Sequence, residues 1–252
     1  MSASTRPRSR ARRIVSIVLL SVAGLLIAGI VGIVIWSQVG VMGAEAGPLA
    51  SVREDDRIAV SDTGGNVVMS PASGESTVGL IFVPGAKVDA EAYEAKLSGL
   101  VAEDGMTVVI TRPWLNLAFF DPRPLSTFTE AAPGVGTWLV GGHSLGGVRA
   151  CQLAPDADGL VLFASYCAND LADSGLPVLS ISGSEDGLST PEKIQDSRGT
   201  LPADAEFVEI PGASHASFGD YGPQAGDGTP TIDDTDMAAE ITASVADLLA
   251  RL

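Results

Sequence analysis

The chain has 252 residues, of which 46 % are hydrophobic, and its 15 basic and 31 acidic residues give a formal charge of −16 at pH 7. This hydrophobic content excludes a disordered chain, and the acidic balance argues against nucleic acid as a partner. An excess of acidic side chains is typical of a solvated, soluble surface.

The first predicted element is a membrane anchor at residues 14–36, a run of 23 residues without charge. As a helix rising about 1.5 Å per residue it crosses a hydrocarbon core of about 30 Å. Five arginines precede it in a basic arm at 1–13 and none follows before Arg53, so the positive-inside rule predicts a cytoplasmic N-terminus. The alternative is a signal peptide cleaved near Ala44 and Ala46, although its apolar region is ordinarily only about 7–15 residues.

Beyond the anchor, residues 37–56 are rich in Gly, Ala, Pro and Ser and predict a stalk, followed by one folded domain at 57–252. Apolar runs in that domain predict strands at 78–83, 106–111, 137–141, 159–164, 177–182 and 206–210, after a hairpin at 57–60 and 67–70. Helices are predicted at 90–102, 145–153, 191–196 and 235–252. This alternation predicts an α/β fold, a mostly parallel sheet with helices on both faces and functional groups beyond the carboxyl ends of its strands.

A strand-turn-helix motif begins at Gly142 with the letters GHSLGG. The pattern G-x-S-x-G in this context is typical of a nucleophile elbow, in which Ser144 occupies a sharp turn that exposes its hydroxyl. Such a turn leaves no room for side chains two residues before and after the serine, and Gly142 and Gly146 meet that condition. A glycine-rich turn with an inert serine is the alternative interpretation.

A serine nucleophile needs a base, and the chain has only two histidines. His143 is adjacent to Ser144, so its side chain should diverge from the hydroxyl, and we assign it a role in packing or in supporting the catalytic residues. His215 lies in a small-residue loop directly after the strand at 206–210, at the same predicted sheet edge as Ser144. We therefore predict that His215 is the base.

A catalytic histidine is held in one tautomer by a carboxylate. Asp186 follows the strand at 177–182 and is the best candidate, with Glu185 in reserve and Asp170 more distant. The resulting chain order of serine, aspartate and histidine is that of α/β-hydrolases.

An oxyanion needs two hydrogen-bond donors, and we predict the backbone N–H groups of Leu145 and Ala86, with Gly85 as the alternative to Ala86. Leu145 opens the nucleophile helix, and Ala86 lies in the loop after the strand at 78–83. Lys87 in the same loop either contacts an anionic substrate or is a solvated surface residue.

These residues resemble the α/β-hydrolase superfamily, and in particular a small bacterial group of serine hydrolases related to dienelactone hydrolases. The resemblance covers residues 79–228 and includes the stretches GLIFVPGAKVDAEAY, PWLNLAFFD, GGHSLGG, GLVLFASYCAND, LPVLSISGSEDG and GASHASFGDYGPQAGDG. It implies a triad of Ser144, Asp186 and His215, with Ala86 and Leu145 at the oxyanion hole. Dienelactone hydrolases themselves have a cysteine nucleophile where this chain has serine.

Only residues 165–176 separate two predicted strands at the position where related enzymes insert a lid, so we expect an open site without a lid domain. Trp114, Leu117, Phe119 and Phe120 either line an acyl pocket or pack in the core. The loop 218–228 contains acidic residues among glycines, which fits a structural turn better than a calcium site.

Two further points concern cofactors and cysteines. The sequence predicts no metal and no cofactor. Cys151 and Cys167, the two cysteines of the chain, either form a disulfide or remain buried thiols.

The sequence therefore predicts a membrane-anchored, extracytoplasmic serine hydrolase, most simply a carboxylic-ester hydrolase, that acts on a small-molecule or lipid-like acyl substrate. Acyl transfer to an acceptor in the cell envelope would use the same residues. A non-catalytic surface binding module with the same fold is the alternative from another class.

Overall fold

The computed structural model describes residues 8–252, and residues 1–7 of the predicted basic arm lie outside the described residues. The chain forms two units, the first ending at Gly40 and the second running from Val41 to Leu252. In the described part of the first unit, residues 8–40, the chain forms one helix, α1 (Arg8–Gln38). Its segment Arg12–Gln38 is long and apolar enough to cross a membrane, a property that membrane anchors and signal sequences share.

The second unit is built on an eight-stranded sheet. Its strands are β1 (Ile58–Thr63), β2 (Asn66–Pro71), β3 (Val78–Val83), β4 (Thr107–Ile110), β5 (Thr137–His143), β6 (Gly159–Phe163), β7 (Val178–Gly183) and β8 (Glu206–Ile210). They lie in the order β1-β2-β4-β3-β5-β6-β7-β8. The two pairings made by β2 are antiparallel and all other pairings are parallel, which confirms the predicted mostly parallel sheet with an N-terminal hairpin.

Helices cover both faces of this sheet, because the central strands are apolar on both sides. The helices of this unit are α2 (Ala46–Arg53), α3 (Glu94–Ala102), α4 (Leu125–Thr129), α5 (Leu145–Leu153), α6 (Pro191–Ser197) and α7 (Asp234–Leu249). Along β3, Leu80 and Phe82 join the core under α2, α3 and α7, whereas Ile81 joins the core under α4 and α5. The predicted two-faced α/β architecture is therefore confirmed.

Of the segment 37–56, predicted as a stalk, Ser37 and Gln38 belong to α1, whereas residues 41–56 belong to the second unit and contain helix α2. Val52 is buried in the core, and Met42 and Ala44 pack against it. Val52 is the only buried residue of this eight-residue helix, so the apolar pattern that would indicate it in the sequence is short.

A disulfide joins Cys151 in α5 to Cys167 in the loop after β6, with the two Cα atoms 5.5 Å apart. Of the two possibilities that the sequence left open, the structure has the disulfide. It ties the helix that follows Ser144 to the neighbouring strand connection.

Candidate active site

Ser144 lies between the last residue of β5 and the first residue of α5, with backbone angles φ 53° and ψ −124°. This left-handed conformation is strained for a residue with a side chain and is typical of a nucleophile elbow. The flanking glycines are required by close packing, since a Cβ on Gly142 would lie 2.5 Å from the carbonyl carbon of Gly146, and one on Gly146 would lie 2.0 Å from the Val83 oxygen. Ser144 itself is half-buried.

Hydrogen bonds to the end of β6 and to the loop after it hold the elbow in place. The Ser144 N–H donates to the Phe163 carbonyl at 3.0 Å, and the Ser165 hydroxyl donates to the Ser144 carbonyl at 2.7 Å. The strained turn is thus fixed on both sides of its central residue.

His215 and Asp186 form a buried pair at the same sheet edge. The Nδ1 atom of His215 lies 2.9 Å from Oδ2 of Asp186. The other carboxylate oxygen, Oδ1, accepts hydrogen bonds from the N–H groups of Leu188 and Ser189, both at 2.7 Å. Because a carboxylate only accepts, Nδ1 carries the proton in this pair, which leaves Nε2 with a lone pair able to take a proton.

The two other carboxylates considered from the sequence lie elsewhere. Glu185 is exposed, and its Oε1 accepts a hydrogen bond from the Ser184 hydroxyl. Asp170 is also exposed and accepts from the N–H of Ala172, two residues further along its own loop. Among these three acidic residues, the hydrogen bond to His215 belongs to Asp186.

Asp227 anchors the His215 loop, a role that the sequence analysis missed. Its Oδ1 accepts from the N–H groups of His215, Gly187 and Gly228 at 2.7–3.1 Å, and its Oδ2 accepts from Ala216 at 2.8 Å. Burial would raise the pKa of Asp227, but the four N–H donors outweigh it and hold that pKa below its ordinary value. The available signal was an aspartate between two glycines, a composition typical of side chains that bond to nearby backbone.

Both acidic side chains of the loop 218–228 contact other parts of the protein, which fits the predicted structural turn. The buried carboxylate of Asp220 lies 2.8 Å from Nζ of Lys96, which also contacts Asp234 at 2.6 Å. Burial raises the pKa of Asp220 above its ordinary value in spite of the ammonium beside it. Glu45, Asp220 and Asp234 lie close enough together to share a cation, and the Lys96 ammonium contacts two of them, Asp220 and Asp234.

His143 is buried and connects the elbow to the predicted oxyanion loop. Its Nδ1 lies 2.9 Å from the Tyr93 hydroxyl, which accepts the Gly85 N–H at 2.9 Å. The ring centroid of His143 lies 4.5 Å from that of His215. Burial, and then the neighbouring His215, lower the pKa of His143 well below its ordinary value, so this ring is neutral. These surroundings agree with the predicted role in packing or in supporting the catalytic residues.

In the loop after β3, hydrogen bonding distinguishes Ala86 from Gly85, the two alternatives for the second oxyanion donor. The Gly85 N–H is used by Tyr93, and the Lys87 N–H donates to the Asn116 carbonyl at 2.8 Å. Within residues 8–252 the N–H of Ala86 between them has no acceptor, which favours Ala86 over Gly85. The N–H of Leu145 is at the first position of α5, where a helix has no internal acceptor to offer.

Four apolar residues after β4 were considered for an acyl pocket or the core, namely Trp114, Leu117, Phe119 and Phe120. Of these four, only Leu117 is in the core. Trp114 is 54 % exposed, Phe119 78 % and Phe120 39 %. Core packing is therefore wrong for the three aromatic residues. They are surface residues on a loop at the Ser144 edge.

A sequence profile described as the alpha/beta hydrolase family matches residues 79–239 of this chain. The chain belongs to this family. Membership supports hydrolase activity, and it agrees with the strand order and the elbow described above. No curated protein matches the chain.

Three solved structures with this fold cover 77 % of the chain. The chain is 14 % identical to a predicted CIB-like hydrolase from Thermoplasma acidophilum, with a TM-score of 0.56 and all of that protein covered. It is 12 % identical to Est1E from Butyrivibrio proteoclasticus, with a TM-score of 0.52 and 99 % of that protein covered. It is 15 % identical to an alpha-beta serine hydrolase homologue from Coxiella burnetii, with a TM-score of 0.50 and 96 % covered. At these identities the likeness is one of fold.

Proposed function

We propose that this protein is a membrane-anchored serine hydrolase that cleaves an ester or related acyl bond, with Ser144, His215 and Asp186 as its catalytic residues. The observation that carries the proposal is the buried pair in which Nδ1 of His215 lies 2.9 Å from Asp186, at the same sheet edge as a serine with φ 53°. A base oriented by a carboxylate beside an elbow serine is the arrangement used for acyl transfer to serine.

In the first half of the reaction, Ser144 Oγ attacks the acyl carbonyl carbon while Nε2 of His215 takes the hydroxyl proton. The carbonyl electrons move onto oxygen, where the N–H groups of Ala86 and Leu145 stabilise the negative charge. As the bond to the leaving alcohol breaks, His215 returns the proton to that alcohol. The acyl group remains on Ser144, and Asp186 stabilises the imidazolium formed in between.

In the second half, water attacks the acyl carbonyl carbon of the acyl-enzyme, and His215 takes a proton from that water. The tetrahedral intermediate collapses, the acid leaves, and the proton returns to Ser144. The buried His143 is neutral and is not needed as a proton carrier in either half.

The proposed location is the outer side of a membrane, with the N-terminus in the cytoplasm. Five arginines precede the apolar helix, and Cys151 and Cys167 form a disulfide, which persists mainly in oxidising compartments. A reporter enzyme that folds only outside the cytoplasm, fused after Leu252, should be active in cells. An inactive but expressed fusion would contradict this orientation.

The proposed chemistry is tested by labelling the full-length chain in detergent with a fluorophosphonate and mapping the modified peptide by mass spectrometry. We expect modification of Ser144, and its loss in Ser144→Ala and in His215→Gln. Ser61→Ala, which changes an exposed serine on the edge strand β1, is the matched control and should label normally.

A folded chain without any label at Ser144 would overturn the proposal and favour a non-catalytic binding module. Labelled protein that turns over an ester only when an alcohol acceptor is added would favour acyl transfer over hydrolysis.

A further inference from the structure

The exposed large apolar side chains of the second unit are concentrated at the edge that carries Ser144. Within residues 41–252 they are Trp114, Phe119, Phe120 and Tyr166, together with the C-terminal Leu252. The four aromatic residues follow β4 and β6, and we call them the aromatic rim. A soluble domain rarely leaves several large aromatic side chains exposed on one edge unless that edge binds something.

Buried residues and hydrogen bonds anchor the loop that carries Trp114, Phe119 and Phe120. Leu117 and Ala118 are buried beneath the rim, and the turn Ala118–Phe120 contacts α5. At the base of the loop, the Arg123 guanidinium donates to the Arg112 carbonyl at 2.9 Å. The rings of Phe119 and Phe120 meet edge to face with their centroids 5.4 Å apart.

The chain that follows α1 joins the domain at this same edge. The Met42 N–H donates to the Lys87 carbonyl at 2.7 Å, and the Asp89 N–H donates to the Met42 carbonyl at 2.9 Å. Lys87 is the neighbour of the proposed oxyanion donor Ala86, and its N–H binds the loop of the aromatic rim through Asn116.

Chain length limits how far this edge can lie from a membrane anchor. Only residues 39–41 separate the end of α1 from Met42. Four extended steps reach about 14 Å, so a bilayer that holds α1 also holds the attachment point at Met42 near its surface. This limit follows from covalent connection alone.

The charge distribution singles out the same surface. Residues 113–120 contain no charged side chain, although the chain beyond residue 13 carries a charge of −21. Anionic lipid headgroups repel acidic surfaces. Trp and Tyr are enriched at membrane interfaces, and Phe is common on the apolar faces of interfacial segments. The aromatic rim is therefore the part of this edge best suited to a lipid surface.

We propose that the aromatic rim docks on the bilayer that holds α1, and that the substrate is a membrane-resident amphiphile whose acyl bond reaches Ser144 from the lipid phase. The docking part rests on the proposed membrane anchor and is argued from exposure, charge and chain length. The substrate part rests on the proposed serine hydrolase function.

Docking is tested without catalysis by reconstituting the full-length chain in phosphatidylcholine vesicles that contain bromine-labelled acyl chains, which quench tryptophan at the interface. The wild type is compared with Trp114→Phe, so that the difference reports Trp114 while Trp36 and Trp138 contribute to both samples. We expect the emission assigned to Trp114 to be quenched. Emission that is insensitive to the bromolipid would overturn docking.

The substrate class is tested by the ratio of two rates in these vesicles, one on a fluorogenic ester embedded in the bilayer and one on a short water-soluble ester. Phe119→Ser should lower the ratio about tenfold, because an apolar side chain contributes interfacial binding in proportion to its buried area. Leu252→Ser is the matched control. Leu252 is exposed and lies 3.6 Å from the Cβ position of Gly159, at the opposite end of β6.

The outcomes separate the two proposals. Quenching of Trp114 with an unchanged rate ratio in Phe119→Ser would leave docking in place and overturn the lipid substrate. A lower ratio without quenching would mean that Phe119 contacts the acyl chain of the substrate, and would overturn docking. If Ser144 is never labelled and neither ester is cleaved, the serine hydrolase function fails and the lipid substrate with it, while the quenching result still decides docking.

Discussion

Tyr93→Phe should destabilise the domain and slow the proposed reaction, because one buried hydroxyl joins the oxyanion loop to the elbow. The Tyr93 hydroxyl accepts the Gly85 N–H and lies 2.9 Å from Nδ1 of His143. Burial raises the pKa of Tyr93 well above its ordinary value, so the hydroxyl stays protonated and donates to the neutral imidazole. The substitution removes one oxygen and leaves two buried polar groups without partners.

Each buried polar group that loses its partner costs about 1–3 kcal/mol, which gives about 2–6 kcal/mol for the pair. For a domain of this size, about 2–4 °C of melting temperature is lost per kcal/mol, so the midpoint should fall by at least about 4 °C. A loosened loop also misplaces Ala86. Because that donor acts mainly in the transition state, kcat should fall about tenfold or more with little change in KM.

Tyr221→Phe is the matched control for this substitution. The Tyr221 hydroxyl donates to Oε1 of Gln224 at 3.1 Å in a part-buried setting, so its loss should cost about 1 kcal/mol. Thermal unfolding in detergent and the rate of fluorophosphonate labelling measure both variants. If Tyr93→Phe melts and labels like Tyr221→Phe, the chain from Gly85 to His143 does not support the site.

Three further predictions concern the same edge. Asp186→Asn should reduce kcat by about 10⁴-fold, because the carboxylate that fixes the histidine tautomer is lost. Glu185→Gln should leave kcat within about twofold of wild type. Equal effects of the two substitutions on kcat would contradict the assignment of Asp186. Asp227→Asn should lower the melting temperature at pH 7. The difference from wild type should shrink on acidification, because a carboxylate whose pKa is lowered in the folded state gives stability that is lost as pH falls through that pKa. A difference in melting temperature that is constant with pH would refute this. Gly146→Ala should destabilise the domain by about 3 kcal/mol or more, because the added Cβ would lie 2.0 Å from the Val83 carbonyl oxygen. Gly134→Ala is the control and should be tolerated, because a Cβ there meets nothing within 4 Å. Circular dichroism on heating measures both variants.

The strands were the easiest part of this fold to predict, because the central parallel strands are continuous apolar runs between turn residues. The predicted runs at 78–83 and 206–210 coincide with β3 and β8, and the run at 159–164 matches β6 to within a residue. A parallel sheet then brings the ends of β5, β7 and β8 to one edge. The positions of Ser144, Asp186 and His215 follow from that topology and from the G-x-S-x-G motif.

The residues that support the site were not predictable in the same way. Asp227 reaches the N–H of Gly187 across 40 residues, and Tyr93 reaches His143 across 50. In the sequence Tyr93 is one apolar position on a helical face, and its ring is indeed buried against Phe82. Only the tertiary structure shows that its hydroxyl has two polar partners.

Backbone strain gives evidence about this edge that depends on no motif. Within residues 8–252 five residues other than glycine have positive φ, namely Lys87, Leu115, Asn116, Ser144 and Ala164. They follow β3, β4, β5 and β6, so every one lies at the carboxyl edge of the sheet. Strain of this kind persists where the surrounding structure enforces it, and it concentrates at functional sites. Since the strained residues include Leu115 and Asn116 in the loop of the aromatic rim, the rim belongs to the same constrained edge as the proposed nucleophile.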